Sequence, residues 1–581
     1  MSSNPFARRS TRSIKDLVEV SSGKKPADIS LENANIVNVY SGEIIKGSVT
    51  IFQDRIAGVG PKYQAAKRIN LKGKYIAPGF IDGHFHIESS LVIIPELARV
   101  IVPRGNTSII ADPHEITNVL GYDGIRYMLE SSKYNPLNVF FTLPSCVPAT
   151  DLETSGSSMK AFDLFPFFRE KWVVGLGEVM NYPGVLSGSD DVIEKIAISE
   201  DKRIDGHAPG VTGKDLAGYI SAGIASDHES TTLEEAREKL RLGMYVMIRQ
   251  GSAARNLQDL LPLVNQSNKS RFVFVTDDHN PSDILESGHI DGVIRLAIKN
   301  GLDPITAIQL ATLNPAEYFG IKDIGAIAPG MLADLVVFED LKKIKVADVF
   351  KSGKLVGKDG EAIYEEVPHP RPMIRSTVNI KWLEGGEFKI PAKQGRCRVI
   401  GIVPDQIVTE HKILKPKLNG REVVADRSRD ILKLFVLERH MASGRIGRGL
   451  VQGLGLKKGA IATSIAHDSH NIIVAGVDDD DIFKAVIHIN KIGGGMVAVA
   501  DGEVLADVKL PIAGLMSDRP MKDVAADVSK LTSEIHKLGT KLDEPMMTLS
   551  FLALPVIPEL KLTDHGLIDV NAFKPVELFV K

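Results

Sequence analysis

Residues 79–88, Gly79-Phe80-Ile81-Asp82-Gly83-His84-Phe85-His86-Ile87-Glu88, join a short apolar run to two histidines spaced i, i+2. On a strand that spacing puts both imidazoles on one side, where they can reach a single ion. Seven more short apolar runs follow at strand–helix spacing: 107–110, 139–141, 173–176, 203–205, 223–225, 245–248 and 272–275. Runs that are apolar throughout, rather than alternating, fit strands covered on both faces of a parallel sheet. Eight of them between residues 78 and 324 predict an α/β fold, a metal-dependent (β/α)8 TIM-type barrel, with an open doubly wound sheet as the alternative.

Polar residues sit at the ends of these runs. The first leads into His84 and His86, the second into Asp112, His114 and Glu115, the third into Cys146 and Glu153. The fourth ends at Glu178, the fifth at His207, the sixth at Asp227-His228-Glu229, the seventh at Arg249 and the eighth at Asp277-Asp278-His279. In a parallel barrel the C-terminal strand ends share one face, which is where active sites form. A lone His-x-His is weak evidence of metal, but an ordered set of imidazoles and carboxylates suits zinc, manganese or ferrous iron without any thiolate. His84, His86, Glu178, His207, His228 and Asp277 are the expected metal ligands, and Asp277 is preferred to Asp278 because it comes first after the run. Cys146 reads as packing. His467 and His470 read as loop or interface residues, and the Asp478–Asp481 run as a solvated turn and helix start.

The flanks differ in texture. Short strands with turn residues between them occupy 28–60, and a related block returns at 325–360, so 27–77 and 325–370 are expected to form one small β domain around the barrel at 78–324. Residues 1–26 are set apart as an N-terminal tail. Pro368, Pro370 and Pro372 mark a linker, and an α/β domain is expected over 371–581.

The chain has 581 residues, with 73 acidic against 70 basic side chains. That balance gives no general affinity for nucleic acid. Only two cysteines are present, too few for a disulfide framework. No run is long and apolar enough for a membrane span, and the first 25 residues lack a signal-type apolar core, so a cytoplasmic home is expected.

Several stretches carry a family resemblance: His84-Phe85-His86, Asp112-Pro113-His114-Glu115-Ile116, Pro144-Ser145-Cys146-Val147-Pro148, Gly175-Leu176-Gly177-Glu178-Val179-Met180-Asn181-Tyr182-Pro183-Gly184, Asp205-Gly206-His207-Ala208-Pro209-Gly210, Ser226-Asp227-His228-Glu229-Ser230, Thr276-Asp277-Asp278-His279 and Ser464-Ile465-Ala466-His467-Asp468-Ser469-His470-Asn471. Together they resemble the amidohydrolase superfamily and, within it, the adenine deaminase family, from about residue 27 onward. The resemblance implies hydrolytic loss of ammonia from adenine in purine salvage, with two divalent ions (Mn2+ or Fe2+) holding a bridging hydroxide against C6. Many superfamily members bridge their metals with a carbamylated lysine; Glu178 stands at that place here. The glutamate that mononuclear deaminases carry three residues after the fifth-strand histidine is Gly210 here, so the proton for ring nitrogen N1 must come from elsewhere. Glu229 is the first candidate, with Glu115 and Glu88 as rivals, and Asp277 collects the water proton. His114, Arg249, Ser252 and Asp278 are expected to contact the purine. The expected partner is the small-molecule substrate alone, with no nucleic acid and no membrane, in a homo-oligomer. A cyclic-amide hydrolase of the hydantoinase or dihydropyrimidinase type, or a purine-binding protein without turnover, are the competing readings.

Overall fold

The computed structural model describes residues 6, 9–199, 201–252, 254–365, 377–404 and 406–580. The linker expected at Pro368, Pro370 and Pro372 lies outside the described residues. No described helix is long and apolar enough to cross a membrane.

Eight parallel strands form the centre: β1 (Phe80–Phe85), β2 (Asn106–Ala111), β3 (Asn138–Leu143), β4 (Val173–Val179), β5 (Arg203–Gly206), β6 (Ser226–Asp227), β7 (Tyr245–Arg249) and β8 (Phe272–Val275). They fall into two arcs, β5-β4-β3-β2-β1 and β6-β7-β8. Hydrogen bonds join the arcs at both junctions. The Ala225 N–H donates to Ile204 O at 2.9 Å, and the Asp277 N–H donates to His84 O at 2.9 Å while the His86 N–H donates to Asp277 O at 3.1 Å. The arrangement is TIM-barrel-like. Its strands are buried nearly throughout, as continuous apolar runs require. The sixth strand differs from expectation: 223–225 is a connection, Gly223 lying in the left-handed region at φ +100° after the preceding helix, and the strand is Ser226–Asp227.

Helices separate the strands and are capped where the sequence signals it. Thr232 Oγ1 accepts from the Glu235 N–H to start helix Leu233–Arg241, which has Glu234 and Glu235 in its first turn and Lys239 and Arg241 in its last, complementing the helix dipole. Asn280 caps helix Pro281–Ser287 in the same way, with proline at its first position.

Strands from the two flanking blocks lie in one sheet, where Leu335–Phe338 pairs antiparallel with Tyr75–Pro78. The sheet is mixed rather than antiparallel, because Ala27–Asn38 pairs parallel with Ala65–Asn70 and Tyr75–Pro78. Residues set apart as a tail include a helix, Thr11–Ser21, whose Leu17 and Val20 pack on Ala27 and Ala57.

The C-terminal region builds a nine-stranded, largely antiparallel sheet with helices Asp479–Ile492 and Met521–Lys537 packed against it. It is not separate from the barrel. Val92, Ile94 and Ile116 share one continuous buried cluster with Ile465, Leu515 and Leu549. The Ser517 N–H donates to Leu91 O, the Ile93 N–H donates to Ser517 O, and Thr154 is held by the Asp564 carboxylate. Removing residues 371–581 would expose this apolar face to water at ~25 cal/mol per Å2. A 1–370 fragment is therefore expected to be insoluble or to lack a cooperative thermal transition; a soluble fragment melting like the full chain would contradict the shared core.

Candidate active site

Five side chains from four other strand ends gather around Glu178, and its two oxygens face different partners. Oε1 lies 3.2 Å from His86 Nε2 and 3.9 Å from His84 Nε2. Oε2 lies 2.7 Å from His207 Nδ1 and 3.1 Å from His228 Nε2. Asp277 spans the same divide, with Oδ1 at 3.3 Å from His86 Nε2 and Oδ2 at 3.4 Å from His228 Nε2. Three overlapping triads result, His84–His86–Glu178, His84–His228–Asp277 and Glu178–His207–His228, each with ligand atoms within 4.8 Å of one another. Imidazole nitrogens and carboxylate oxygens grouped this tightly, all buried, are the donor set of a divalent cation centre. Burial pushes the Glu178 carboxyl up, but hydrogen bonds from His207, His228 and His86 overcome it and hold the group well below the usual carboxylate range. Asp277 is likewise held low against its burial, mainly by Arg249 and His228.

The strand ends fix these groups through buried polar neighbours. His86 Nδ1–H donates to Asp112 O at 3.0 Å, which leaves its Nε2 lone pair facing the cluster. The Asp112 carboxylate accepts the Glu178 N–H at 3.1 Å, and residue 177 must be glycine because a Cβ there would sit 2.1 Å from Asp112 Oδ2. Asp82 accepts from Thr276 and from the His84 N–H; Asp227 accepts the Ala208 N–H next to His207. Asp277 has φ +61°, a conformation unfavourable for a non-glycine residue, held by its two backbone hydrogen bonds to β1. That backbone turn aims Asp277, and not Asp278, into the cluster. Asp278 instead accepts from Ser89 Oγ at 2.6 Å and pairs with Arg249 at 3.0 Å.

A cavity of about 370 Å3 opens over the cluster. His114 lines it, with Nδ1 3.6 Å from Glu178 Oε1, and so do Arg249, Glu229, Glu115 and Asp278. Arg249 donates to Glu229 and pairs with Asp277 at 2.9 Å, so Glu229 is committed to a guanidinium. Two expected residues lie elsewhere. Glu88 accepts the Ile116 N–H at 3.0 Å outside this cavity, and Ser252 donates to Asp283 and accepts the Asn280 N–H.

The opposite wall comes from the C-terminal region: His467, Asp468, Ile407, Phe551, Leu554 and Ile557. His467 Nδ1 is 3.5 Å from Glu115 Oε1, its ring stacks on Phe551, and Asp468 Oδ1 is 3.8 Å from His114 Nε2. Of the loop and interface readings of His467, the contact with Glu115 fits the second, and the ring also lines the cavity. The signal was the His467-Asp468-Ser469-His470 run itself; only the packing of two distant segments assigns it a place. Asp82, Asp205 and Asp227 each stand one or two residues before a cluster histidine, and the sequence alone assigned them no role.

A TIM-barrel-like scaffold presenting this donor set defines a metal-dependent hydrolase of the amidohydrolase type, and the model for the Amidohydrolase family matches residues 75–356. The model for the adenine deaminase C-terminal domain matches residues 406–574. The chain is 51% identical over 564 residues to adenine deaminase 2 of Carboxydothermus hydrogenoformans, covering 97% of this chain and 99% of that one. It is 48% identical over 566 residues to the adenine deaminase of Desulfatibacillum aliphaticivorans, with 97% and 99% covered. The chain belongs to the adenine deaminase family.

Lys239 anchors one side of the cluster from a fully buried position, donating to Asp227 at 2.9 Å, Glu235 at 2.7 Å and Ala208 O at 2.7 Å. Lys239→Met leaves two buried carboxylates uncompensated. It is expected to cost roughly 3–5 kcal/mol in urea unfolding; a loss below about 1 kcal/mol, the range of an exposed pair, would contradict the anchoring role.

Proposed function

We propose that this chain hydrolyses adenine to hypoxanthine and ammonia at the Glu178 cluster. The observation that carries this reading is the placing of two histidine pairs on the two oxygens of one buried carboxylate, beneath a cavity closed by the family's own C-terminal domain. His84, His86, Glu178, His207, His228 and Asp277 would hold two divalent ions, Mn2+ or Fe2+, which when bound make water nucleophilic near neutral pH. The strand–helix order supports a full (β/α)8 barrel over 78–324, with 27–77 and 325–370 as the composite β domain. Two free, buried cysteines suit a reducing cytoplasm.

The protein's own groups divide the remaining work. Asp277 accepts the proton of the attacking water, its second oxygen steadied by Arg249. The N1 proton comes from Glu115. Glu229 is taken up by Arg249 and Glu88 lies outside the cavity, whereas Glu115 lines it. Burial lifts its carboxyl to about 7, against the pull of His467 and with help from Glu88 and Asp278, so an appreciable fraction is protonated at neutral pH. His467 is the positioning residue that the C-terminal region supplies to it. Met180, Phe551, Leu554 and Ile557 form an apolar wall for the purine face, and the charged groups exclude other orientations.

The reaction is tested by assaying metal-replete and chelated protein against adenine and cyclic amides. Ammonia released from adenine only after Mn2+ or Fe2+ is restored is the expected result; ring-opened acid from a hydantoin, or purine binding without turnover, would sink the reading.

The proton donor makes a separate prediction. Glu115 must be protonated to act, so kcat/KM is expected to fall as pH rises through about 7. A positive charge on His467 favours ionised Glu115, so His467→Gln should move this alkaline limb to higher pH, and Glu115→Gln should abolish it. An unchanged limb in both variants would place the donor elsewhere.

A further inference from the structure

Where the C-terminal region meets the barrel, Glu115, His467 and His470 bring one carboxylate and two imidazoles together. All three are buried, and their ligand atoms lie within 4.8 Å of one another. His467 Nδ1 and Glu115 Oε1 stand 3.5 Å apart, close to the ~3.4 Å that separates two donors on a tetrahedral zinc ion. His470 is fully buried, and neither of its ring nitrogens has a hydrogen-bond partner. Glu115 Oε1 has none either. Leaving such atoms unpaired is costly, and a cation satisfies an imidazole lone pair and a carboxylate oxygen at once.

The backbone holds His470 in this place. Its φ is +54°, a left-handed conformation that a non-glycine residue adopts at a cost. The His470 N–H donates to Ala466 O at 2.7 Å, and its carbonyl accepts from the buried Arg439 guanidinium. Negative charge surrounds the group: the carboxylates of Asp278, Asp468 and Glu88 act on Glu115 or His467, and Arg249 offsets one of them, Asp278. Two imidazoles and one carboxylate are a zinc donor set, and such a set binds Zn2+ more tightly than Mn2+ or Fe2+. The neighbouring His114–Cys146–Asp468 group suits zinc less well, because burial pushes the Cys146 thiol up and keeps it protonated. Glu115 and His467 line the catalytic cavity, so an ion can reach them from there.

We propose that Glu115, His467 and His470 form a third, inhibitory metal site that takes Zn2+. The proposal rests on the reading of Glu115 as the N1 proton donor and adds a means of regulating it. A carboxylate bound to zinc has given up its proton, so N1 goes unprotonated while the Glu178 cluster keeps its own ions.

The experiment dialyses Mn2+-loaded enzyme to equilibrium against Zn2+ and reads bound metals by elemental analysis beside ammonia release from adenine. One zinc per chain is expected to add to an unchanged manganese content, with loss of most activity. Asparagine tolerates a left-handed backbone, so His470→Asn removes the imidazole with little strain. That variant should weaken zinc inhibition by about tenfold or more and leave the zinc-free kcat/KM within about twofold of wild type. Zinc that replaces manganese, or that inhibits His470→Asn as strongly as wild type, overturns the proposal and leaves the adenine reading standing. Zinc added as a third ion without loss of activity overturns the inhibitory role and Glu115 as donor together. Enzyme that releases no ammonia from adenine before zinc is added defeats the adenine reading, and the inhibitory role with it. Should His470→Asn fail to fold, zinc K-edge absorption of the wild-type enzyme decides: a nitrogen and oxygen shell with two imidazoles is expected, and sulfur in the shell, or no imidazole, overturns the site.

Discussion

The constraint on which the rest depends is a single buried carboxylate serving two sets of partners. Glu178 lies at the end of β4, with His84 and His86 at the end of β1 on one oxygen and His207 and His228, just past β5 and β6, on the other. A charge removed from water needs such partners, and several kcal/mol hang on their placing. Parallel strands whose C-terminal ends share one face bring residues this far apart along the chain to one point. The junction of the two arcs passes through the site itself, because the backbone of Asp277 bonds to His84 and His86 while its side chain completes the cluster.

The C-terminal region forms part of the wall of the cavity over the Glu178 cluster. It supplies an apolar wall through Phe551, Leu554 and Ile557, and an imidazole that touches Glu115 across the boundary. Its core runs without interruption into the barrel's outer helices. Burial at this boundary lifts the Glu115 carboxyl toward neutrality, against the pull of His467 from the C-terminal region.

Much of this was legible in the chain. The eight apolar runs and their polar ends located the strands, apart from the two-residue β6, whose edges were obscured because Gly223, Ile224 and Ala225 look more strand-like than Ser226 and Asp227. The cluster ligands were legible because each follows a buried run. Glu229 and Glu115 were not separable, since a carboxylate one residue past a strand or helix start reads alike whether an arginine reaches it or not. Ser252 was placed near the purine by position alone, and its hydroxyl turns to Asp283 instead. The helix at Thr11–Ser21 was missed because its apolar face is only two buried residues wide.

Sequence by itself determined the parallel scaffold, the donor types and the family, because periodicity, residue chemistry and motif order are local properties of the chain. Tertiary structure decided which carboxylates an arginine takes up, which aspartate points inward, and that His467, 260 residues beyond His207 in the chain, faces the same cavity. Those outcomes depend on burial and on distances between segments remote in sequence, and neither exists until the chain has closed on itself.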